Sequence, residues 1–377
     1  MAAMADTELS PALRADVGEL DVLLASSNIS TMTAAQADEV RLRHIRAAVA
    51  WHIERNEGYR RFCAGRGFSA DQLRRTEDLG RVPLLPAALF KRGAAVVASV
   101  PADTAVLDTT SSGTQGTVSV VPRDDLTLNR FFATLGIGTY EVLDQQRSEL
   151  KVFNLGPLEA GHLWIAYVMS GVALFTDGQC YVEDDAFLLE ALVRDLAAAD
   201  GTPVLVVGPP PLVLDAAAAC RAAGVVLHPE SLLLTIGGWK RASGRMLPRD
   251  EFVGAVLEGF GLPDDTSVRD TFNMVELNTV LFECAQHRLH LPPWLHAETK
   301  DPRTLEPLAH GQNGVLAFLD ATPTSYPGFV LSDDFGTVER VSDCACGRSG
   351  DVLRLDRRIN RLEGRGCALK LDQRTNR

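Results

Sequence analysis

Residues 109–117 read Thr-Thr-Ser-Ser-Gly-Thr-Gln-Gly-Thr, which puts six hydroxyl side chains and two glycines into nine positions. Glycine lets a backbone approach a ligand closely, and successive N–H groups in such a loop form a concavity that binds anions. The hydroxyls add further donors. Ser111, Ser112, Gly113, Thr114, Gln115, Gly116 and Thr117 therefore suit the phosphates of a nucleotide. The stretch lacks the Gly-Lys-Ser/Thr that completes a Walker loop, and its glycine spacing is wrong for a dinucleotide fingerprint. Apolar Ala105, Val106 and Leu107 precede it, and Val118, Val120 and Val121 follow. A strand–loop–strand hairpin is the expected support.

The chain has 377 residues, 46% of them hydrophobic, enough for a large core and more than one lobe. A net charge of −12 argues against a nucleic-acid partner, because phosphate backbones attract basic surfaces. The opening Met-Ala-Ala-Met-Ala-Asp-Thr-Glu lacks a basic stretch leading into an apolar one, so no secretory leader is expected. No window approaches the roughly 18 uninterrupted apolar residues of a membrane span. Seven scattered cysteines, an odd number, point to a reducing cytoplasm and away from a disulfide framework.

Residues 1–100 are expected to form a helical segment packed on a main domain that occupies 101–377. Val40, Leu42, Ile45, Val49 and Ile53 fall at helical spacing, giving a helix over 34–57 that ends near Gly58. Beyond residue 100 strands and helices alternate. Strands are expected at 150–154, 203–207, 231–236 and 267–272, and helices at 161–173, 186–199, 212–223 and 249–260. This is the pattern of an α/β fold, a mostly parallel sheet with helices on both faces. Strands at 314–320 and 328–331 suggest a smaller β-rich part. Ligands in such sheets bind beyond the carboxyl ends of the strands. Gly208-Pro209, Gly237-Gly238 and the 273–276 turn fall at expected strand ends and can converge on one crevice.

Several stretches resemble segments of adenylate-forming enzymes, which activate carboxylic acids as acyl-adenylates. Residues 111–117 resemble their Ser-Gly-Thr-Thr-Gly phosphate loop. Asp270-Thr-Phe-Asn-Met-Val-Glu276 resembles their Tyr-Gly-Met-Thr-Glu turn. Ser332-Asp-Asp-Phe-Gly336 is similar to their Thr-Asp-Leu-Gly segment, with Asp334 aligned and Asp333 the alternative. Cys344-Ala-Cys346-Gly-Arg348 and Asp356-Arg357…Arg365-Gly366 resemble segments of phenylacetate-CoA-ligase-like enzymes. Further segments are Pro83-Leu-Leu-Pro-Ala-Ala-Leu-Phe-Lys91, Gly237-Gly-Trp-Lys240, His290-Leu-Pro-Pro-Trp294, Asp301-Pro302 and Arg365-Gly-Cys-Ala368. With these, the chain resembles the acyl-protein synthetase family of bacterial bioluminescence fatty-acid reductase systems. Asn273, Val275, Asp356 and Ile359-Asn360 depart from the adenylate-forming patterns.

The resemblance implies a fold and a reaction. The fold is the large domain of adenylate-forming enzymes, ending at a hinge-like segment over 356–366. The mobile lobe that usually follows is expected to be absent, since the eleven residues after Gly366 cannot build one. ATP and Mg²⁺ activate a fatty or aryl acid, and the acyl group moves to Cys367, then to an acceptor protein, a carrier protein or a small nucleophile. Alternatives are an acyl-CoA ligase and a degenerate adenylate-binding scaffold subunit. Glu276 would hold Mg²⁺, a hard cation that prefers oxygen. Phe272 and Asn273 would lie by the adenine, Asp334 would bond the ribose, and Arg357 would belong to the nucleotide site. Lys240, after Gly238 at a strand end, would neutralise the carboxylate or α-phosphate, with Lys91 a second candidate. His162 is a candidate for the acyl pocket. Arg365 would favour the Cys367 thiolate. Cys284, His290, Cys344 and Cys346 have the ligand types of a closed structural Zn²⁺ site, comparable to a set in related proteins. His287 is the alternative to His290.

Overall fold

The computed structural model describes residues 11–26, 29, 32–112, 117–143, 150–159, 161–174 and 178–358. Helix α1 (Pro11–Leu24) leads into α2 (Ala34–Arg55), which opens on a capping box between Thr33 and Gln36. α2 ends at Asn56, two residues before the glycine expected to stop it. Asn56 is the reason, because its side chain accepts from the Tyr59 N–H at 2.7 Å and so starts α3 (Glu57–Ala64). The same amide donates to the carbonyls of Val97 and Ala98, at the end of the short α4 (Ala94–Val97).

The expected parallel sheet is present. Strands β4 (Lys151–Pro157), β5 (Gln179–Glu183), β7 (Val204–Gly208), β8 (Leu232–Thr235) and β9 (Val268–Phe272) run parallel in the order β9-β8-β7-β4-β5. Antiparallel edge strands β10 (Leu281–Phe282) and β6 (Ala186–Phe187) close its two sides. β7 is buried throughout because both its faces are covered. Val204 and Val206 face one core with α7 (Leu189–Ala197), α8 (Pro210–Ala223) and α9 (Arg249–Phe260). Leu205 and Val207 face the other, with α5 (Asp125–Ile137) and α6 (Trp164–Leu174). The helix expected over 186–199 begins only at Leu189. Asp184 and Asp185 take φ of 47° and 62°, and this turn folds 186–187 back onto β5 as strand β6.

The smaller β-rich part is an antiparallel sheet of β11 (Leu289–His290), β15 (Gly350–Arg358), β14 (Gly328–Val341), β13 (Gly314–Asp320) and β12 (Leu295–Lys300), in that order. β14 runs ten residues beyond the end expected from sequence. A short β1 (Leu85–Pro86), from the proline-punctuated connector, pairs with β14 in parallel. The expected hairpin is formed by β2 (Leu107–Thr110) and β3 (Val120–Arg123). An isolated bridge between Thr110 and Leu163 ties it to the segment just ahead of α6.

Two α2 histidines are sealed in. Burial pushes His52 down to about 3 and His44 down to about 4. Their folded-state values lie below the ordinary 6.5, so unfolding takes up protons between about pH 4 and 6.5 and stability falls as pH drops through that window. Denaturant titrations between pH 7 and 4.5 should show this fall, and His52→Gln should flatten the slope. An unchanged slope in that variant contradicts the assignment.

Candidate active site

The hairpin neck is tied by its own side chains. Ser111 N–H donates to the Ser119 carbonyl at 3.1 Å, and Ser119 N–H returns to Ser111 Oγ at 3.0 Å. Gly113, Thr114, Gln115 and Gly116 lie outside the described residues. Ser112 and Thr117 flank them, one half-buried and the other exposed. His162, a candidate for the acyl pocket, clamps the stem. Its carbonyl accepts from Thr110 N–H at 2.7 Å, and its Nδ1 lies 2.9 Å from the Asp108 carbonyl.

The 273–279 turn that carries Glu276 lies directly behind this stem. Arg123, at the end of β3, is fully buried. Its Nε donates to Thr109 Oγ1 at 2.9 Å, its Nη2 to the Val275 carbonyl at 2.8 Å, and its Nη1 to Asn278 Oδ1 and to Tyr326 OH at 3.1 Å. Trp164 stacks beneath the guanidinium at 3.6 Å and donates its indole N–H to Asn273 Oδ1. Asp320, at the end of β13, accepts from the N–H groups of Asn278, Thr279 and Thr322, each at 2.9 Å. Glu276 is 6% exposed within this frame. Phe272 packs inward, stacked on Phe318 at 5.4 Å where the two sheets meet. Motif reading found neither Arg123, Trp164, Asp320 nor Tyr326. The signal it had was a lone arginine closing an apolar strand just before the Asp124 N-cap.

On β14, Asp334 is buried and Asp333 exposed, so strand alternation turns the aligned aspartate inward. Phe335 registers against Arg357 and Asp334 against Arg358 on β15. Gly237 takes φ of 82° at the end of β8 and lies beside Ile165 of α6. Gly238 follows it, exposed. Lys91 sits in a short turn of helix over Ala87–Arg92. The side chains of Lys240 and Arg357 lie outside the described set, as do Arg365, Gly366 and Cys367 altogether.

Cys284, His290, Cys344 and Cys346 come together, their ligand atoms all within 4.8 Å of one another. Cys346 Sγ is 3.3 Å from His290 Nε2. Cys284 sits in a tight turn in which the Gln286 N–H faces its sulfur at 3.4 Å. Burial pushes the Cys284 thiol up to about 11 and His290 down to about 4. His287 does not join them; it contacts Glu283 at 3.3 Å and Asp265 at 3.4 Å.

A family model described as acyl-protein synthetase, LuxE, matches residues 13–376. The chain belongs to that family. A long-chain-fatty-acid–luciferin-component ligase of Vibrio harveyi is 32% identical over 362 residues, covering 94% of this chain and 93% of the relative. An enzyme of the same description from Aliivibrio fischeri is 31% identical over 359 residues, with the same coverage. Among solved structures, a 2-hydroxyisobutyryl-CoA ligase in its postadenylation state matches 88% of this chain and 70% of its own with a TM-score of 0.69. At 18% identity this likeness speaks for the adenylate-forming fold. The family's activity is that of an AMP-forming acid–thiol ligase: ATP activates a carboxylic acid and the acyl group passes to a thiol. No helix among the described residues is long and apolar enough to cross a membrane.

Removing the Asp320 carboxylate leaves three buried N–H groups without their acceptor. Asp320→Ala should lose about 3 kcal/mol in urea unfolding, the scale of buried donors left unsatisfied. A loss below about 1 kcal/mol shows that the turn is held by other means.

Proposed function

We propose that this enzyme activates a fatty or aryl acid on the face framed by the 107–123 hairpin and the 273–279 turn, and that Cys367 receives the acyl group. Residues 111–117 hold the triphosphate through backbone N–H groups and hydroxyls. Glu276 supplies an oxygen ligand for Mg²⁺, which when bound offsets charge on the phosphates. Asp334 takes the ribose hydroxyls, Phe272 and Asn273 border the adenine side, and Gly238, Lys240 and Arg357 line the nucleotide. The substrate carboxylate attacks the α-phosphorus and pyrophosphate leaves. The Cys367 thiolate then attacks the activated carbonyl, forming the thioester as AMP departs. An acceptor protein, a carrier protein or a small nucleophile accepts the acyl group from there. The observation that carries this reading is the direct hydrogen-bonded contact between the hairpin stem and the Glu276 turn. We place the enzyme in a reducing cytoplasm, because a thiol nucleophile requires reduced cysteine.

The test is incubation with ATP, Mg²⁺ and a panel of fatty and aryl acids, read by intact-protein mass and pyrophosphate release. The parent should gain a hydroxylamine-labile acyl adduct. Cys367→Ser should keep acid-dependent pyrophosphate release and lose the adduct. An adduct that survives in Cys367→Ser places the acyl group elsewhere and contradicts the assignment.

We infer further that Cys284, His290, Cys344 and Cys346 hold a structural Zn²⁺. Three sulfurs and an imidazole nitrogen, mutually close and with only Cys346 partly exposed, form the closed donor set that zinc favours. Such an ion ties the 284–290 loop to the turn joining β14 and β15. Elemental analysis should find about one zinc per chain. Cys344→Ser should lose the metal and lower Tm. Purified protein that has no bound metal and shows the same Tm with and without a chelator overturns this.

A further inference from the structure

Arg123 stands outside every motif, yet it touches three segments of the proposed nucleotide-binding framework. One planar guanidinium reaches Thr109 on the strand leading into the phosphate loop, Val275 and Asn278 on either side of Glu276, and Tyr326 ahead of β14, the strand of Asp334. Its lower face covers Trp164, which grips Asn273. Each of those hydrogen bonds ends on a neutral oxygen. The group is fully buried, and Glu276 and Asp320 are the carboxylates whose fields reach it.

We propose that Arg123 is a positioning residue for adenylation. Its fork fixes the hairpin stem that leads into the phosphate loop against the Glu276 turn, and so sets where the α-phosphorus lies relative to the incoming carboxylate. A rigid fork suits this task. Five N–H groups in a fixed plane define the relative placement of three segments, whereas an ammonium on a flexible stem fixes one point. Errors of about 1 Å in such a spacing cost about a hundredfold in rate. Thioester formation from a finished adenylate makes less demand on that spacing, because the pyrophosphate has left.

This inference rests on the adenylation reading above, and the experiment separates the two. Arg123→Lys keeps the charge while losing the fork and the planar stacking on Trp164. Thr109→Val and Asn278→Ala each cut one arm and leave the arginine in place. Each variant is checked for parental near-UV circular dichroism and assayed in two half-reactions: acid-dependent ATP–pyrophosphate exchange, and acylation of the protein by chemically prepared acyl-adenylate. In Arg123→Lys we expect kcat for exchange to fall about 100-fold, with KM for ATP changing less than about 3-fold and acylation by the prepared adenylate kept within about 3-fold. The single-arm variants should fall between parent and Arg123→Lys. A folded Arg123→Lys that exchanges at the parental rate overturns the proposal, and so does equal loss in both half-reactions. If Arg123→Lys fails to fold, parental exchange rates in both single-arm variants overturn it instead. Absence of acid-dependent exchange in the parent overturns the adenylation reading and this inference together.

Discussion

A guanidinium taken wholly out of water needs acceptors on every side, and that requirement organises the middle of this protein. Desolvating such a group costs several kcal/mol unless the surroundings replace what water gave. Burial pushes the Arg123 guanidinium below its ordinary value, countered by Tyr326 and by the nearby carboxylates of Asp320 and Glu276. Four hydrogen bonds and an indole face restore the rest. The acceptors come from three separate chain segments, at Thr109, at Val275 and Asn278, and at Tyr326. Satisfying one cation therefore forces the hairpin, the 273–279 turn and the approach to β14 into a fixed arrangement.

Other buried polar groups extend the same frame. Asn278 accepts from Arg123 and donates to the Thr127 carbonyl of α5 at 2.8 Å. Thr127 Oγ1 in turn accepts from Thr324 N–H at 3.0 Å and lies 2.9 Å from Ser325 Oγ. Asp320 closes the turn from the other sheet. The apolar join of Phe272 on Phe318 lies alongside, so the two sheets meet through packing and through satisfied polar groups together. Beyond β10, Cys284 and His290 meet Cys344 and Cys346 of the turn joining β14 and β15.

Much of this was legible from residue pattern because burial leaves a periodic trace. The 203–207 strand read clearly, since a central parallel strand is apolar on both faces. β13 fell where expected because it too is buried along its whole length, and α9 because its buried residues recur at helical spacing. Legibility failed where a turn lacks glycine, as at Asp184-Asp185, or where a side chain overrides a local signal, as when Asn56 ends α2 before Gly58. The hydroxyl-rich hairpin declared itself through composition, and the cysteines through type. Which histidine joins them was a matter of three-dimensional placement, which spacing cannot supply. Arg123 was invisible for that reason: one arginine after an apolar strand looks ordinary until the partners that enclose it are assembled. β12 was missed because its alternation carries the polar His296, Glu298 and Lys300; Lys300 pairs with Glu298 at 2.7 Å and donates to the Gly80 carbonyl of the 76–81 turn.

The account stands or falls on where the nucleotide sits. A crystal structure of the chain with ATP and Mg²⁺ is the direct measurement. The triphosphate is predicted on the backbone N–H groups of 111–117, with the metal at Glu276 and the ribose hydroxyls at Asp334. ATP bound with that hairpin untouched, its phosphates held by another part of the molecule, would contradict the account.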